Sequence, residues 1–352
     1  MDKPPLRVGL IGCGVISEEY LSSSLQFDEF SIVKCADRNP ERAARRGAAY
    51  NIPAATPDEV FADPDIDLVL NLTPPQAHKD VNLAALNAGK HVYSEKPFAL
   101  NLADADIILE AAAARGLVVA SAPDSFLGAT QRKARELVRD GVIGEVFGGA
   151  ASIMWRVGDH SDHPNIASFF RQGAGPLFDM GPYYITALVN LLGPVKRVGA
   201  MGRKLAPLRR CLTGKSAGKE FPVEINTHTQ GLLEFDAGAI VSLNASFDVW
   251  RHQNPRVELY GSSGTLMLPE PSGFGGDMRL FKPGSEDWEV IPPEGEFQRT
   301  TRGLGLAELA RALAERRPPR CSGMLARHVL AVMCALEESA ASSVFVTMPK
   351  PL

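Results

Sequence analysis

The apolar run Leu6–Ile11 ends abruptly in Gly12-Cys13-Gly14-Val15-Ile16-Ser17, and residues 16–26 then read as a helix. A strand that turns through glycines straight into a helix commits the chain to a crossover, because the helix must cover the sheet before a parallel neighbour forms. The pattern repeats. Residues 31–36, 67–72, 91–93 and 117–121 are short, apolar and largely β-branched. Residues 40–50, 76–88 and 102–115 between them have helical character. Asn39-Pro40 supplies a helix start, and Gly89 and Gly116 stand where helices should stop. Such alternation predicts an α/β Rossmann domain, a doubly wound parallel sheet, over residues 1–122.

Past Pro123 the pattern changes. Residues 131–140 read as a helix leading to a long strand near 146–155, and a second helix covers 179–192. Residues 227–235 and 239–247 flank the turn Asp236-Ala237-Gly238, and residues 257–260 and 265–268 flank Gly261-Ser262-Ser263-Gly264. Hairpins build antiparallel sheets, so residues 123–352 are expected to form an α+β domain with a large open antiparallel sheet. Helices at 304–315 and 324–339 and a strand at 343–347 complete it. Leu233, Phe235, Val241 and Leu243 belong to a hairpin with apolar or small residues on both faces. One face must cover helices of its own domain, and the other is expected to meet a second copy in a homodimer or homotetramer.

Composition narrows the class. With 352 residues, 45% hydrophobic and 22% charged, the chain is long enough for two packed domains. A net charge of −4 gives no electrostatic case for nucleic acid or membrane surfaces. Five irregularly spaced cysteines argue against a disulfide framework or a zinc site. No run approaches the ~18 apolar residues of a membrane span, and Met1 leads almost directly into the first strand. A reduced, cytoplasmic protein is expected.

The glycine turn has the order that cradles a dinucleotide pyrophosphate, with Ser17 replacing the third glycine of the fingerprint. Asp37 follows the second strand, 23 residues after Gly14, where a carboxylate accepts hydrogen bonds from ribose hydroxyls. It disfavours a 2′-phosphate and so favours NAD; Arg38 beside it partly offsets this, leaving NADP possible. Glu95-Lys96-Pro97 ends the run His91-Val92-Tyr93, where an open parallel sheet delivers residues to ligand, and Thr73-Pro74-Pro75 ends the neighbouring strand. Farther on, Gly173-Ala174-Gly175-Pro176-Leu177-Phe178-Asp179 opens a helical stretch in which Asp179 and Tyr183, four apart, share a face.

Together these residues resemble the Gfo/Idh/MocA family of nicotinamide-dependent oxidoreductases along essentially the whole chain. The resemblance implies cofactor contact by Gly12, Gly14, Val15, Ile16, Asp37, Arg38, Thr73, Pro74, His78, Glu95 and Lys96. It implies a catalytic Lys96 with Asp179, and reversible oxidation of a sugar, sugar-derivative or cyclitol hydroxyl. Many members carry histidine where this chain has Tyr183. A phenol beside Lys96 and an oxidised nicotinamide has two positive neighbours that favour its ionisation, so Tyr183 is expected to handle the proton. Tyr184 is the competing phenol.

Other features have two readings each. Pro123-Asp124-Ser125-Phe126 lacks the arginine of many relatives, and Asp124 is expected to accept hydroxyl hydrogen bonds from a polyhydroxylated substrate. Trp155 could stack on a sugar or pack in the core; Arg156 beside it is a candidate substrate contact. His160 and His163, in Asp159-His160-Ser161-Asp162-His163, suit substrate better than metal, since no further His/Cys cluster completes a site. Residues 203–219 carry six basic and no acidic side chains and read as a solvated loop. Two other functions use the same fold: NAD-dependent glycoside cleavage through transient oxidation, and a non-catalytic dinucleotide-binding sugar sensor. Retention of Glu95, Lys96, Asp179 and a phenol speaks against the sensor.

Overall fold

In the computed structural model, which describes residues 4–159 and 165–349, the first stretch alternates as the hydrophobic pattern requires. It runs β1 (Leu6–Ile11), α1 (Ile16–Ser24), β2 (Phe30–Ala36), α2 (Pro40–Tyr50), β3 (Ala54–Ala55), α3 (Pro57–Ala62), β4 (Leu68–Asn71), α4 (His78–Asn87), β5 (His91–Ser94), α5 (Leu102–Ala113) and β6 (Val119–Ser121). β3 and α3 are additions to the sequence reading, too short to carry a periodic signal. All six strands pair in parallel in the order β3-β2-β1-β4-β5-β6. The order reverses between β1 and β4, and the carboxyl ends of those strands flank the crevice where such sheets bind ligands.

The second stretch comprises α6 (Ala129–Arg139), β7 (Val146–Met154), α7 (Gly175–Leu192), β8 (Val195–Arg203), β9 (Leu208–Arg210), β10 (Glu220–Pro222), β11 (His228–Phe235), β12 (Ile240–Ser246), β13 (Val257–Gly261), β14 (Gly264–Leu268), β15 (Met278–Phe281) and β16 (Glu289–Ile291). Then come α8 (Leu304–Glu315), α9 (Gly323–Ser342) and β17 (Val346–Thr347). A nine-stranded sheet has the order β16-β15-β14-β13-β7-β12-β11-β8-β17. The expected large antiparallel sheet is present, with one parallel pairing within it, β7 beside β12. Hairpins fix the direction only of strands adjacent in sequence, and β7 and β12 are not. Leu233, Phe235, Val241 and Leu243 all face inward, at most 2% exposed. α7 packs on β7 and β12, and Leu336 of α9 lies over Gly231, where a Cβ would be 2.6 Å from it.

Contacts divide the chain differently from a cut between residues 122 and 123. One unit extends to Leu127 and takes back Thr300–Leu330; the other holds Gly128–Arg299 and continues from Ala331. The return has a physical cause. α8 packs on β6 and β2, and the Ser121 amide donates to the Cys321 carbonyl at 2.9 Å.

Candidate active site

Gly12 is required by close approach. Its φ is +109°, and a Cβ there would lie 2.5–2.8 Å from the Leu72 and Thr73 backbone. Gly14, by contrast, has nothing within 4 Å of where its Cβ would stand, and Val15 beside it is exposed. No side chain caps α1 at Val15. The turn therefore offers open space at an uncapped helix start, the features a pyrophosphate needs. Asp37 braces the turn: its Oδ2 accepts from the Cys13 amide at 2.9 Å and its Oδ1 from the Asn39 amide at 2.8 Å. A carboxylate has about four acceptor positions, so two amides leave capacity for ribose hydroxyls. Arg38 is exposed. These residues fit a bound dinucleotide.

At the end of β4, Asn71 is fully buried and its Oδ1 accepts from both the Thr73 amide (3.1 Å) and hydroxyl (2.6 Å). Pro74 next to it is exposed. At the end of β5, the buried Glu95 carboxylate accepts from the Lys96 amide at 2.8 Å and the Tyr20 hydroxyl at 3.0 Å. Glu95 thus fixes the peptide of Lys96, which itself is half-buried. Tyr20 and Asn71 escaped the sequence reading. The burial of Ser17, Tyr20 and Leu21 at helical spacing is the signal that Tyr20 points inward.

Two residues expected to contact ligand in this unit are fully buried and engaged by protein groups. His78 has no exposed surface, and both ring nitrogens stand 2.8 Å from backbone carbonyls, those of Pro97 and Thr73. Burial pushes its pKa below the ordinary imidazole value. It presents no atom to a cofactor. Asp124 is likewise fully buried, paired with Arg302 at 3.1 Å and accepting from the Gly303 and Gly305 amides at 3.0 and 3.2 Å. Its oxygens serve the start of α8.

In the other unit, α7 carries Asp179, half-buried, and Tyr183, 7% exposed, one helical turn apart. Tyr184 is fully buried and donates to Glu270 at 2.7 Å. Burial and that carboxylate push its phenol above the ordinary tyrosine value. Trp155 packs on Phe247, ring centroids 5.6 Å apart, against the apolar cluster of Phe170, Phe221 and Phe247. Core packing accounts for it. Arg156 is held by Asp159 at 2.6–2.7 Å, reaches Asp248 at 3.8 Å and lies under the Trp250 ring. Its charge is already matched within the unit. The basic stretch 203–219 also departs from the expected solvated loop: Arg209 is buried, donates to the Val157 carbonyl at 2.6 Å and pairs with Asp248. His160 and His163 lie outside the described residues. Among the described residues, no cluster could hold a metal ion, and no helix is long and apolar enough to cross a membrane.

Residues 6–122 match the oxidoreductase-family model with an NAD-binding Rossmann fold, and residues 131–267 match the Gfo/Idh/MocA C-terminal domain. The chain belongs to the Gfo/Idh/MocA family. It is 27% identical over 316 residues, 87% of this chain and 90% of the other, to a dTDP-3,4-didehydro-2,6-dideoxy-alpha-D-glucose 3-reductase of Streptomyces antibioticus. It is 24% identical to a myo-inositol 2-dehydrogenase of Thermotoga maritima, covering 78% of this chain and 82% of the other. In fold it is similar to a levoglucosan dehydrogenase solved with NADH and levoglucosan, with TM-score 0.84, 22% identity and coverage of 98% and 100%.

Proposed function

We propose that this protein is an NAD-dependent oxidoreductase acting on a hydroxyl or carbonyl carbon of a sugar, sugar derivative or cyclitol. The observation that carries the reading is Lys96, held at the end of β5 by the Glu95 carboxylate in a family with an NAD-binding fold. The named relatives, a deoxysugar reductase and an inositol dehydrogenase, support the substrate class. When bound, NAD supplies the hydride acceptor. Lys96 stabilises developing alkoxide charge on the substrate oxygen. Tyr183, or water positioned by Asp179, takes the proton as hydride leaves.

A panel of aldoses, inositols and glycosides assayed with NAD and NADP, following absorbance of the reduced cofactor, tests this. No turnover with any of them overturns the reading. In the same assay Asp37→Ala is expected to shift the NAD/NADP preference by about tenfold or more, because a hydrogen bond to a charged group contributes about 1.5–3 kcal/mol. An unchanged preference removes Asp37 from the ribose.

Homo-oligomerisation, as a dimer or tetramer, is part of the proposal. The outer sheet face carries Met201, Leu232 and Ile240, each more than 40% exposed, and Phe345, 63% exposed, lies over Gly199 beside them. Such a face gains from a second copy. A strictly monomeric species in sedimentation at micromolar concentration contradicts it. Five free thiols, four of them buried, support a reducing, cytoplasmic setting.

A further inference from the structure

His78 opens α4, and its ring lies between two loops of the first unit. Nε2 is 2.8 Å from the carbonyl of Thr73, in the loop after β4; Nδ1 is 2.8 Å from the carbonyl of Pro97, the residue after Lys96. A backbone carbonyl only accepts, so each contact calls for a ring N–H; a neutral imidazole donates to one carbonyl and a protonated one to both. The ring's own backbone is fixed as well. Its carbonyl accepts from Asn71 Nδ2 at 3.2 Å, and that same amide nitrogen donates to Asn82 Oδ1 at 2.7 Å. Simple core filling would be served better by an apolar side chain, since burying an imidazole costs free energy unless its polar atoms find partners. One nitrogen donates to its carbonyl and the other lies against the second, and both carbonyls border functional loops.

We propose that His78 is a positioning residue for Lys96: its ring, lodged between the Thr73 and Pro97 carbonyls and donating to one of them, fixes the segment that bears the ammonium. Glu95 holds Lys96 from the chain side preceding it, and His78 holds the side following it. The proposal rests on the reading of Lys96 as catalytic.

His78→Phe keeps the bulk and removes both ring nitrogens; His78→Gln restores an N–H donor. A misplacement of about 1 Å costs on the order of 100-fold, so His78→Phe is expected to lower kcat at least about tenfold, with His78→Gln recovering part of it. NAD affinity, read by fluorescence titration without turnover, should stay within about threefold of wild type, since positioning acts on the transition state rather than on ground-state binding. In a Lys96→Ala background, His78→Phe should cost less than about twofold, because residues acting as a unit are not additive. A wild-type kcat in folded His78→Phe, or in His78→Leu should the phenylalanine variant not fold, overturns the proposal. So does an equal further loss in the Lys96→Ala background, or a loss of NAD affinity that matches the loss of kcat. Lys96→Ala alone separates the two readings. Full turnover there sinks the catalytic assignment, whereas an inactive Lys96→Ala beside a fully active His78→Phe sinks only the positioning role.

Discussion

Lys96→Ala is expected to cut turnover by about 100-fold or more while leaving NAD affinity nearly intact. Oxidation of an alcohol removes a proton and a hydride from one carbon–oxygen unit, and the charge that develops on oxygen needs a fixed cation. Lys96 is fixed through its peptide: Glu95 takes its amide at 2.8 Å, and Glu95 is itself held by Tyr20. That brace sets the point from which the side chain delivers its ammonium, and a preorganised charge is what makes electrostatic stabilisation large. Tyr183→Phe should act in the same direction, with a smaller loss if water positioned by Asp179 carries the proton. Tyr184→Phe is the control. Its phenol is committed to Glu270 and pushed up by burial, so its loss should be mild in turnover. An inactive Tyr184→Phe beside an active Tyr183→Phe would transfer the proton-handling role to Tyr184. Turnover of Lys96→Ala near wild type would remove the ammonium from the mechanism.

What could be read in the sequence was local. The Asn39-Pro40 helix start is present as expected, with Asn39 Oδ1 accepting from the Glu41 amide at 2.9 Å and Pro40 opening α2. The glycine turn, the strand ends at Thr73 and Lys96, and the hairpin around Asp236-Ala237-Gly238 all follow from spacing within a few residues. The fates of single polar side chains do not. Asp124 looked like a substrate ligand because its partner, Arg302, stands 178 residues away. Arg209 looked solvated because Asp248 and the Val157 carbonyl that bury it lie on other strands or loops. A charge is cheap to bury only when matched, and the matching group is invisible to any window of sequence. The parallel pairing of β7 with β12 is hidden for the same reason: hairpins specify neighbours, whereas long connections leave direction open.

Asp124 makes the largest stability prediction. Its carboxylate is fully buried, with Arg302 Nη1 at 3.1 Å and the amides of Gly303 and Gly305 at 3.0 and 3.2 Å. α8 starts after Gly303, which has no side chain to cap it, so Asp124 performs the capping from the far side of the sequence. Asp124→Ala leaves a buried guanidinium and two amides without their acceptor, and breaking such a pair costs about 3–5 kcal/mol. Asp124→Asn keeps one acceptor oxygen and should cost less. Burial raises the Asp124 pKa above the ordinary carboxylate value, against the pull of Arg302. Between the unfolded and the raised folded value, the folded state binds more protons. Stability contributed by this group therefore falls as pH rises across that window, and Asp124→Asn should remove that slope. Denaturation of the three proteins, followed by kinetics where all are folded, decides between the roles. A lowered midpoint with the sugar KM within about threefold marks Asp124 as structural, because a residue outside the site does not alter uniform substrate binding. A raised KM with an unchanged midpoint would return Asp124 to the substrate.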